Sequence, residues 1–291
     1  MAVEVREVGL IGLGLMGQAL ATRLIPAGFR VLGYDLDAAK NAKLRVMGGR
    51  TASSLAEVAE CGIVVLAVFS TDQVEEVVEN TLVPAAGGGK IVLCTSTCDP
   101  DRIAALAARV APKGIRFLET PVSGSSGQVS RGEGTGLIGG DPAVAAEVGD
   151  ILDALFPKRF HIGKAGDGSR AKLAINLILG LHRLALAEGL VFAERLGLDK
   201  KAFLDVARNS AAYSHVMDIK GRKMVEGEFK PEGFIHQSLK DFSLMHEQAA
   251  KAGQSLPALE LNKSVLQACV AAGEAELDNS AVIQEIRRRR K

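Results

Sequence analysis

Short apolar runs alternate with amphipathic segments through the first 165 residues of this 291-residue chain, and that alternation restricts its fold more than any other feature. Val8–Leu13, Arg30–Tyr34, Ile63–Val68, Lys90–Cys94, Arg116–Thr120 and Thr135–Gly139 read as strands. Several are apolar throughout, the pattern of a sheet covered on both faces. Met16–Ala27, Asp37–Met47, Ser54–Glu60, Thr71–Glu79 and Asp101–Ala111 carry helical spacing between them. Strands and helices in this rhythm predict an α/β doubly wound parallel sheet. The stretch PVSGSSGQVSRGEGTG, Pro121 to Gly136, is too rich in Gly and Ser for regular structure. It is also longer than an ordinary connection, which marks it as a functional loop.

After IGKAGDGS the character changes. From Ser169 to Arg195 there is no proline, and Leu173, Leu177, Leu181 and Leu184 recur at helical spacing. Ser169 is placed to cap the helix at its start, and Gly197 stands where it would end. The rest of the chain is helical in pattern, with no convincing strand. The expected organisation is a domain over 1–165 and an all-α domain over 166–291, the second built on a long interdomain helix.

Composition removes other classes. Hydrophobic residues make up 47% of the chain and the formal net charge is +1, so neither a disordered chain nor a general polyanion binder is indicated. The Arg287–Lys291 run reads as a solvated end. Cys61, Cys94, Cys98 and Cys269 lack the spacing of a zinc site and read as free thiols of a reducing compartment; no metal is expected. No signal peptide is evident, and no uninterrupted apolar stretch reaches the ~20 residues of a membrane span. The expectation is a soluble, cytoplasmic protein that binds neither membrane nor nucleic acid.

The segment VGLIGLGLMGQALATRL places Gly12, Gly14 and Gly17 in a G-x-G-x-x-G pattern. Alone the spacing is weak, but here it follows an apolar strand, opens a helix and begins a strand–helix–strand unit. In a Rossmann arrangement Gly12 permits the tight turn, Gly14 admits a pyrophosphate, and Gly17 lets helix and strand pack closely. The helix N-terminus, at Leu15 and Met16, offers N–H groups to phosphate. The second strand ends in Asp35, about 20 residues on, where an acid binds the ribose diol of NAD and repels the 2′-phosphate of NADP. Leu36 is not basic and only Lys40 could reach a phosphate, so NAD is expected, with NADP possible.

With these residues the chain resembles the β-hydroxyacid dehydrogenases, the family of 3-hydroxyisobutyrate dehydrogenase, tartronate semialdehyde reductase and threonate dehydrogenase. Five motifs in order carry the resemblance: the segment GLIGLGLMGQALATRLIPAGFRVLGYD, STCDP at 96–100, TPVSGSSGQVSRGEGTGLIGGD, GSRAKLAINLILG at 168–180 and KDFSL at 240–244. The resemblance implies NAD-dependent oxidation of a small β-hydroxy acid by hydride transfer, at a site between the two domains. It assigns Lys172 and Asn176 to catalysis, and Ser123, Gly124, Ser125 and Ser214 to substrate. Ser96 and Lys240 join Gly12, Gly14, Leu15, Met16, Gly17 and Asp35 at the cofactor.

Lys172, in the first turns of the long helix, is the group expected to take the hydroxyl proton. To act as a base near neutral pH its amine must be depressed by desolvation or nearby positive charge. Asn176, one turn on, shares its face. The chain departs from the family at Ser125, where a glycine is usual, and at Cys94, where an aspartate is common. Arg131 reads as a surface residue and Asp241 as a structural contact. His182, His215 and His236 have no carboxylate at a telling spacing. Relatives are commonly dimers or tetramers, so a homodimer or homotetramer is expected. The rival readings are an NADPH-dependent aldehyde reductase for a semialdehyde or glyoxylate, and a non-catalytic dinucleotide-binding module.

Overall fold

The computed structural model describes residues 6–87 and 89–289, and the chain separates between Lys172 and Leu173 into two units. In the first, β1 (Glu7–Ile11), β2 (Arg30–Tyr34), β3 (Arg50–Thr51), β4 (Ile63–Leu66), β5 (Lys90–Cys94) and β6 (Ile115–Glu119) form a parallel sheet in the order 3-2-1-4-5-6. Helices α1 (Leu15–Leu24), α2 (Ala38–Val46), α3 (Leu55–Ala59), α4 (Thr71–Val77) and α5 (Pro100–Val110) alternate with the strands. Successive residues of one strand enter different cores. Val65 and Leu93 pack with Leu10, Leu20 and Leu24, whereas Val64, Leu66 and Val92 pack with Val58, Ile103 and Leu106. Burial on both faces is why these strands are continuous apolar runs. The strand order reverses between β1 and β4, and in open α/β sheets ligands bind outside the strand C-termini at such a point.

Beyond β6 come β7 (Val122–Ser123), α6 (Ser126–Ser130), β8 (Thr135–Gly139), α7 (Pro142–Glu147), α8 (Gly149–Leu155) and β9 (Lys158–Gly163). β8 runs antiparallel to β6 and β7 and parallel to β9. Several features depart from the sequence expectation, α7 and α8 among them, which stand where the sequence predicts no helix. The 121–136 stretch is not irregular throughout. It holds β7 and α6, the latter started by a reciprocal cap between Ser125 and Gln128. β9 is not among the strands read from the sequence: its apolar alternation is only two residues long, Phe160 and Ile162, and both are exposed, so no buried face marks it.

The second unit is helical. α9 (Asp167–Arg195) begins just before the division and continues through it, followed by α10 (Lys200–Arg208), α11 (His215–Glu226), α12 (Ile235–Lys251), α13 (Pro257–Ala271) and α14 (Val282–Arg288). α9 starts before Ser169, which is therefore a first-turn residue and not the cap. Its end is as expected: Gly197 has φ 83°, and Leu198 N–H donates to the Ala193 carbonyl at 3.0 Å. Gly180 lets α12 come close, since a Cβ there would lie 2.4 Å from Phe242 Cζ. Leu184, Leu190, Met224, Ile235 and Leu259 fill the core. A buried lock joins α11 to the start of the last helical segment. Asp278 accepts from Lys220 Nζ at 2.8 Å, Ser280 Oγ at 2.7 Å and Glu232 N–H at 2.9 Å.

By length and composition α9 is long and apolar enough to cross a membrane, the one such helix among the described residues. The core helix of a packed helical domain passes the same test, and Leu184, Ala187 and Leu190 of α9 are core residues here. The basic C-terminus is not simply solvated. Arg287 pairs with Glu194, Arg288 with Glu274, and Arg289 with Glu285, whereas Arg290 and Lys291 lie outside the described residues.

Candidate active site

The β1–α1 turn is shaped by its glycines for three different reasons. Gly12 has φ 91°, and a Cβ on it would stand 2.5 Å from the Ala67 carbonyl oxygen. A Cβ on Gly17 would stand 1.9 Å from the Gly12 carbonyl oxygen, so the first turn of α1 rests directly on the loop. Gly14 is different: a Cβ there meets nothing within 4 Å. Packing therefore explains two glycines and leaves the middle one to a ligand that approaches the backbone. Gly14 is the N-cap of α1, offers no side-chain cap, and no acidic residue stands in the first turn. The N–H groups beside half-buried Leu15 and Met16 carry the positive end of the helix dipole, which suits a pyrophosphate.

Asp35, at the end of β2, is fixed to this loop. Its Oδ2 accepts from Leu13 N–H at 2.8 Å and its Oδ1 from Asp37 N–H at 2.9 Å. Asn41 brackets the Asp35 backbone from both sides, accepting from its N–H at 3.0 Å and donating to its carbonyl at 2.6 Å. A carboxylate has about four acceptor positions, so lone pairs remain for a ribose diol. Lys40 Nζ lies 3.5 Å from Asp35 Oδ1, and Leu36 is exposed. Beyond the ends of β4 and β5, Ser96 Oγ donates to the Val68 carbonyl at 2.7 Å. That bond uses its proton and leaves the hydroxyl as an acceptor, the role an amide NH₂ requires.

Ser123 closes β7 and is half-buried, followed by Gly124 at φ 149° with Gly134 Cα 3.3 Å from where its Cβ would be. Ser125 Oγ accepts from Gln128 N–H at 3.3 Å as the cap of α6. One of its two lone pairs is thus engaged in structure, and its O–H and the other lone pair are left for a substrate. Lys172 is buried in the first turns of α9, with half-buried Asn176 one turn on. Asn176 Nδ2 donates to Asp241 Oδ2 at 2.9 Å, and Lys240 Nζ lies 3.0 Å from the other oxygen of the same carboxylate. Asp241 is thus the structural contact expected, made to a residue assigned to catalysis.

Sequence reasoning passed over Glu119, the last residue of β6. It reads as one more strand position, yet it is almost fully buried and bonds to Gly166 and Ser169 at the start of α9. Burial pushes its carboxyl above the usual range, against the opposing donors of Ser169 and Gly166. An acid closing an apolar strand was the only available signal.

Ser214 caps α11 without a side-chain bond. His236 Nδ1 is 3.0 Å from the Ala275 carbonyl, its ring stacked on Phe234, and His182 is exposed. Arg131 pairs with Glu133 on the surface. The four cysteines are free and buried; the bond to Cys98, with burial, pushes the Cys94 thiol well above its ordinary range. No group of three or more metal-ligating side chains occurs among the described residues.

A Rossmann sheet with this cradle, followed by a helical unit, defines an NAD(P)-dependent oxidoreductase. Residues 7–163 match the family described as the NAD binding domain of 6-phosphogluconate dehydrogenase. Residues 166–286 match that described as NAD-binding of NADP-dependent 3-hydroxyisobutyrate dehydrogenase. The chain is 31% identical to a probable 3-hydroxyisobutyrate dehydrogenase-like protein of Arabidopsis thaliana, over 97% of its own length and 94% of the relative's. It is also 31% identical to L-threonate dehydrogenase of Cupriavidus necator, over 96% and 95% of the two chains. The crystal structure of 3-hydroxyisobutyrate dehydrogenase from Salmonella typhimurium superposes with a TM-score of 0.89 at 28% identity, covering 96% of this chain and 99% of that one. The chain belongs to the β-hydroxyacid dehydrogenase family. Its activity is therefore that of an NAD(P)-dependent hydroxyacid dehydrogenase or semialdehyde reductase.

Proposed function

We propose that the protein oxidises a small β-hydroxy acid with NAD, and that Lys172 takes the hydroxyl proton. The observation that supports this is the placement of a buried amine. Lys172 stands one turn beyond a helix start bonded to the C-terminal end of β6, the same end of the sheet at which Gly12, Asp35 and Ser96 lie. Bound nicotinamide supplies the hydride acceptor. Lys172, as the neutral amine, accepts the proton as the carbinol carbon gives up its hydride. Asn176 orients the hydroxyl from the same helix face, its amide held by Asp241. Ser123 and the backbone at Gly124 hold the substrate carboxylate.

Lys172→Ala is expected to lower kcat by about 10²–10⁴-fold, roughly 2.7–5.5 kcal/mol, with cofactor affinity unchanged. Near-normal turnover in that variant would refute the assignment. Hydroxyisobutyrate, glycerate, threonate and serine, assayed with NAD and with NADP, identify the substrate and the preferred cofactor.

Lys40 favours a second reading, reduction of a semialdehyde or glyoxylate with NADPH, because its ammonium beside Asp35 could meet a 2′-phosphate. A kcat/KM for NADPH above that for NADH decides for it.

We further propose self-association along α9, as a homodimer or a homotetramer built on it. Ile178, Leu181, Ala185, Gly189, Phe192 and Leu196 form a stripe at spacings of three and four residues, with Ile178, Phe192 and Leu196 well exposed. A two-fold axis at Ala185 would set Leu181 against Gly189 and Ile178 against Phe192 of a second copy, large against small at the centre. A monomer by sedimentation at micromolar concentration would exclude it. Four reduced cysteines fit a cytoplasmic setting, which fractionation of the native source would test.

A further inference from the structure

The carboxylate of Glu119 sits in a socket of glycines. Its Oε1 accepts from Ser169 N–H at 3.2 Å and from Ser169 Oγ, and its Oε2 accepts from Gly166 N–H. A Cβ on Gly139, at the end of β8, would stand 2.6 Å from Glu119 Oε2 and 2.9 Å from Gly168 N. One on Gly168 would stand 2.9 Å from the Leu137 carbonyl oxygen. Gly166, at φ 96°, presses the same turn onto Pro100, whose carbonyl oxygen lies 2.8 Å from where its Cβ would be. Backbone thus meets backbone around one buried acid. Outside the socket Arg170 ties the turn to α5 through Asp101 at 2.9 Å.

An α-helix is stiff over a few residues, so whatever holds its first turn sets the side chains of the next. Lys172 follows Ser169 by three residues, about 4.5 Å along the axis. We propose that Glu119 is a positioning residue for the reaction: by gripping Gly166 and Ser169 it sets where the Lys172 amine stands relative to the end of β6. This rests on reading Lys172 as the proton-handling group. Glu119 touches no reacting atom. It is needed as a carboxylate because both oxygens face donors. A glutamine of the same shape must turn its NH₂ towards either Gly166 N–H or Ser169, donor against donor, and the turn shifts to separate them. Displacing a catalytic group by about 1 Å is enough to cost on the order of 10²-fold in rate.

The test is a double-mutant cycle in the full-length enzyme. Glu119→Gln is expected to lower kcat by about 10–100-fold while KM and the dissociation constant for NAD stay within about threefold. In a Lys172→Ala background the same change should cost less than about threefold more, because the amine it positions is gone. Ser169→Ala keeps the charge and the Gly166 bond but loses one donor, and a smaller loss with the same coupling is expected. It carries the cycle should Glu119→Gln fail to fold. An undiminished kcat, or an equal loss in both backgrounds, overturns the role of Glu119 and leaves the lysine assignment standing. Wild-type turnover in Lys172→Ala alone overturns the lysine assignment and this proposal with it.

Discussion

Replacing Gly14 with alanine separates what the β1–α1 turn needs in order to fold from what it needs in order to bind. The backbone there, φ −66° and ψ −164°, is open to alanine, and the added Cβ has no neighbour within 4 Å. At an N-cap alanine is poorer than glycine by roughly 0.5–1 kcal/mol. The less flexible unfolded chain returns about 0.4–1 kcal/mol, so the net change is near zero. At about 2–4 °C per kcal/mol for a unit of this size, Tm should move by no more than about 2 °C. Binding is another matter, because the methyl group projects where a pyrophosphate must meet the first-turn N–H groups. Hydrogen bonds to a charged partner contribute about 1.5–3 kcal/mol each, so loosening one or two weakens NAD(H) by about 2–4 kcal/mol. That is roughly 30- to 1,000-fold in Kd, well within reach of calorimetry or NADH fluorescence titration. Gly17→Ala is the control, since its Cβ would fall 1.9 Å from the Gly12 carbonyl oxygen. It should unfold at a markedly lower temperature. Unaltered NADH affinity in Gly14→Ala, or a large fall in its Tm, would refute the reasoning.

Asp278→Ala leaves the buried Lys220 ammonium without its counter-charge and should destabilise the protein by about 3–5 kcal/mol in urea titration. Burial opposes ionisation of Asp278, but Lys220 and the donors of Glu232 and Ser280 outweigh it and hold the carboxyl below its ordinary value. Burial also holds the Lys220 amine below its usual range, despite its partner. The acid side follows Asp278: its stabilisation is complete above the unfolded-state carboxyl value and is lost as pH falls through the lower folded one. Acid unfolding should therefore come earlier in Asp278→Asn, and identical acid midpoints would count against the lock. Asp35→Asn keeps an acceptor for Leu13 or Asp37 but removes the charge. The ratio of NADP to NAD turnover should rise about 10–100-fold, on the order of 1–3 kcal/mol of relieved repulsion. An unchanged ratio would show that Asp35 does not choose the cofactor.

How much of this was legible from residues alone depends on where each signal lies along the chain. β4 and β5 were plain because both of their faces are buried and, Lys90 at the start of β5 apart, every position is apolar. α9 was plain because a long run keeps its period and Gly197 ends it. The Gly12–Gly17 turn was plain because the chemistry that needs it imposes spacing on neighbouring residues. β9 and α6 were not, the first for lack of a buried face and the second because one helical turn held by a Ser125–Gln128 cap leaves no period. Glu119 was hidden for a different reason. Its partners Gly166 and Ser169 lie 47 and 50 positions away, and nothing near it in the chain implies them. The same holds for Asp241 and Asn176, 65 positions apart. A reacting group must be a particular chemical type at a particular place in a motif, so Lys172 could be picked out. The residues that aim such a group need only meet it in space, and folding brings them there from stretches whose composition is otherwise that of an ordinary strand or helix.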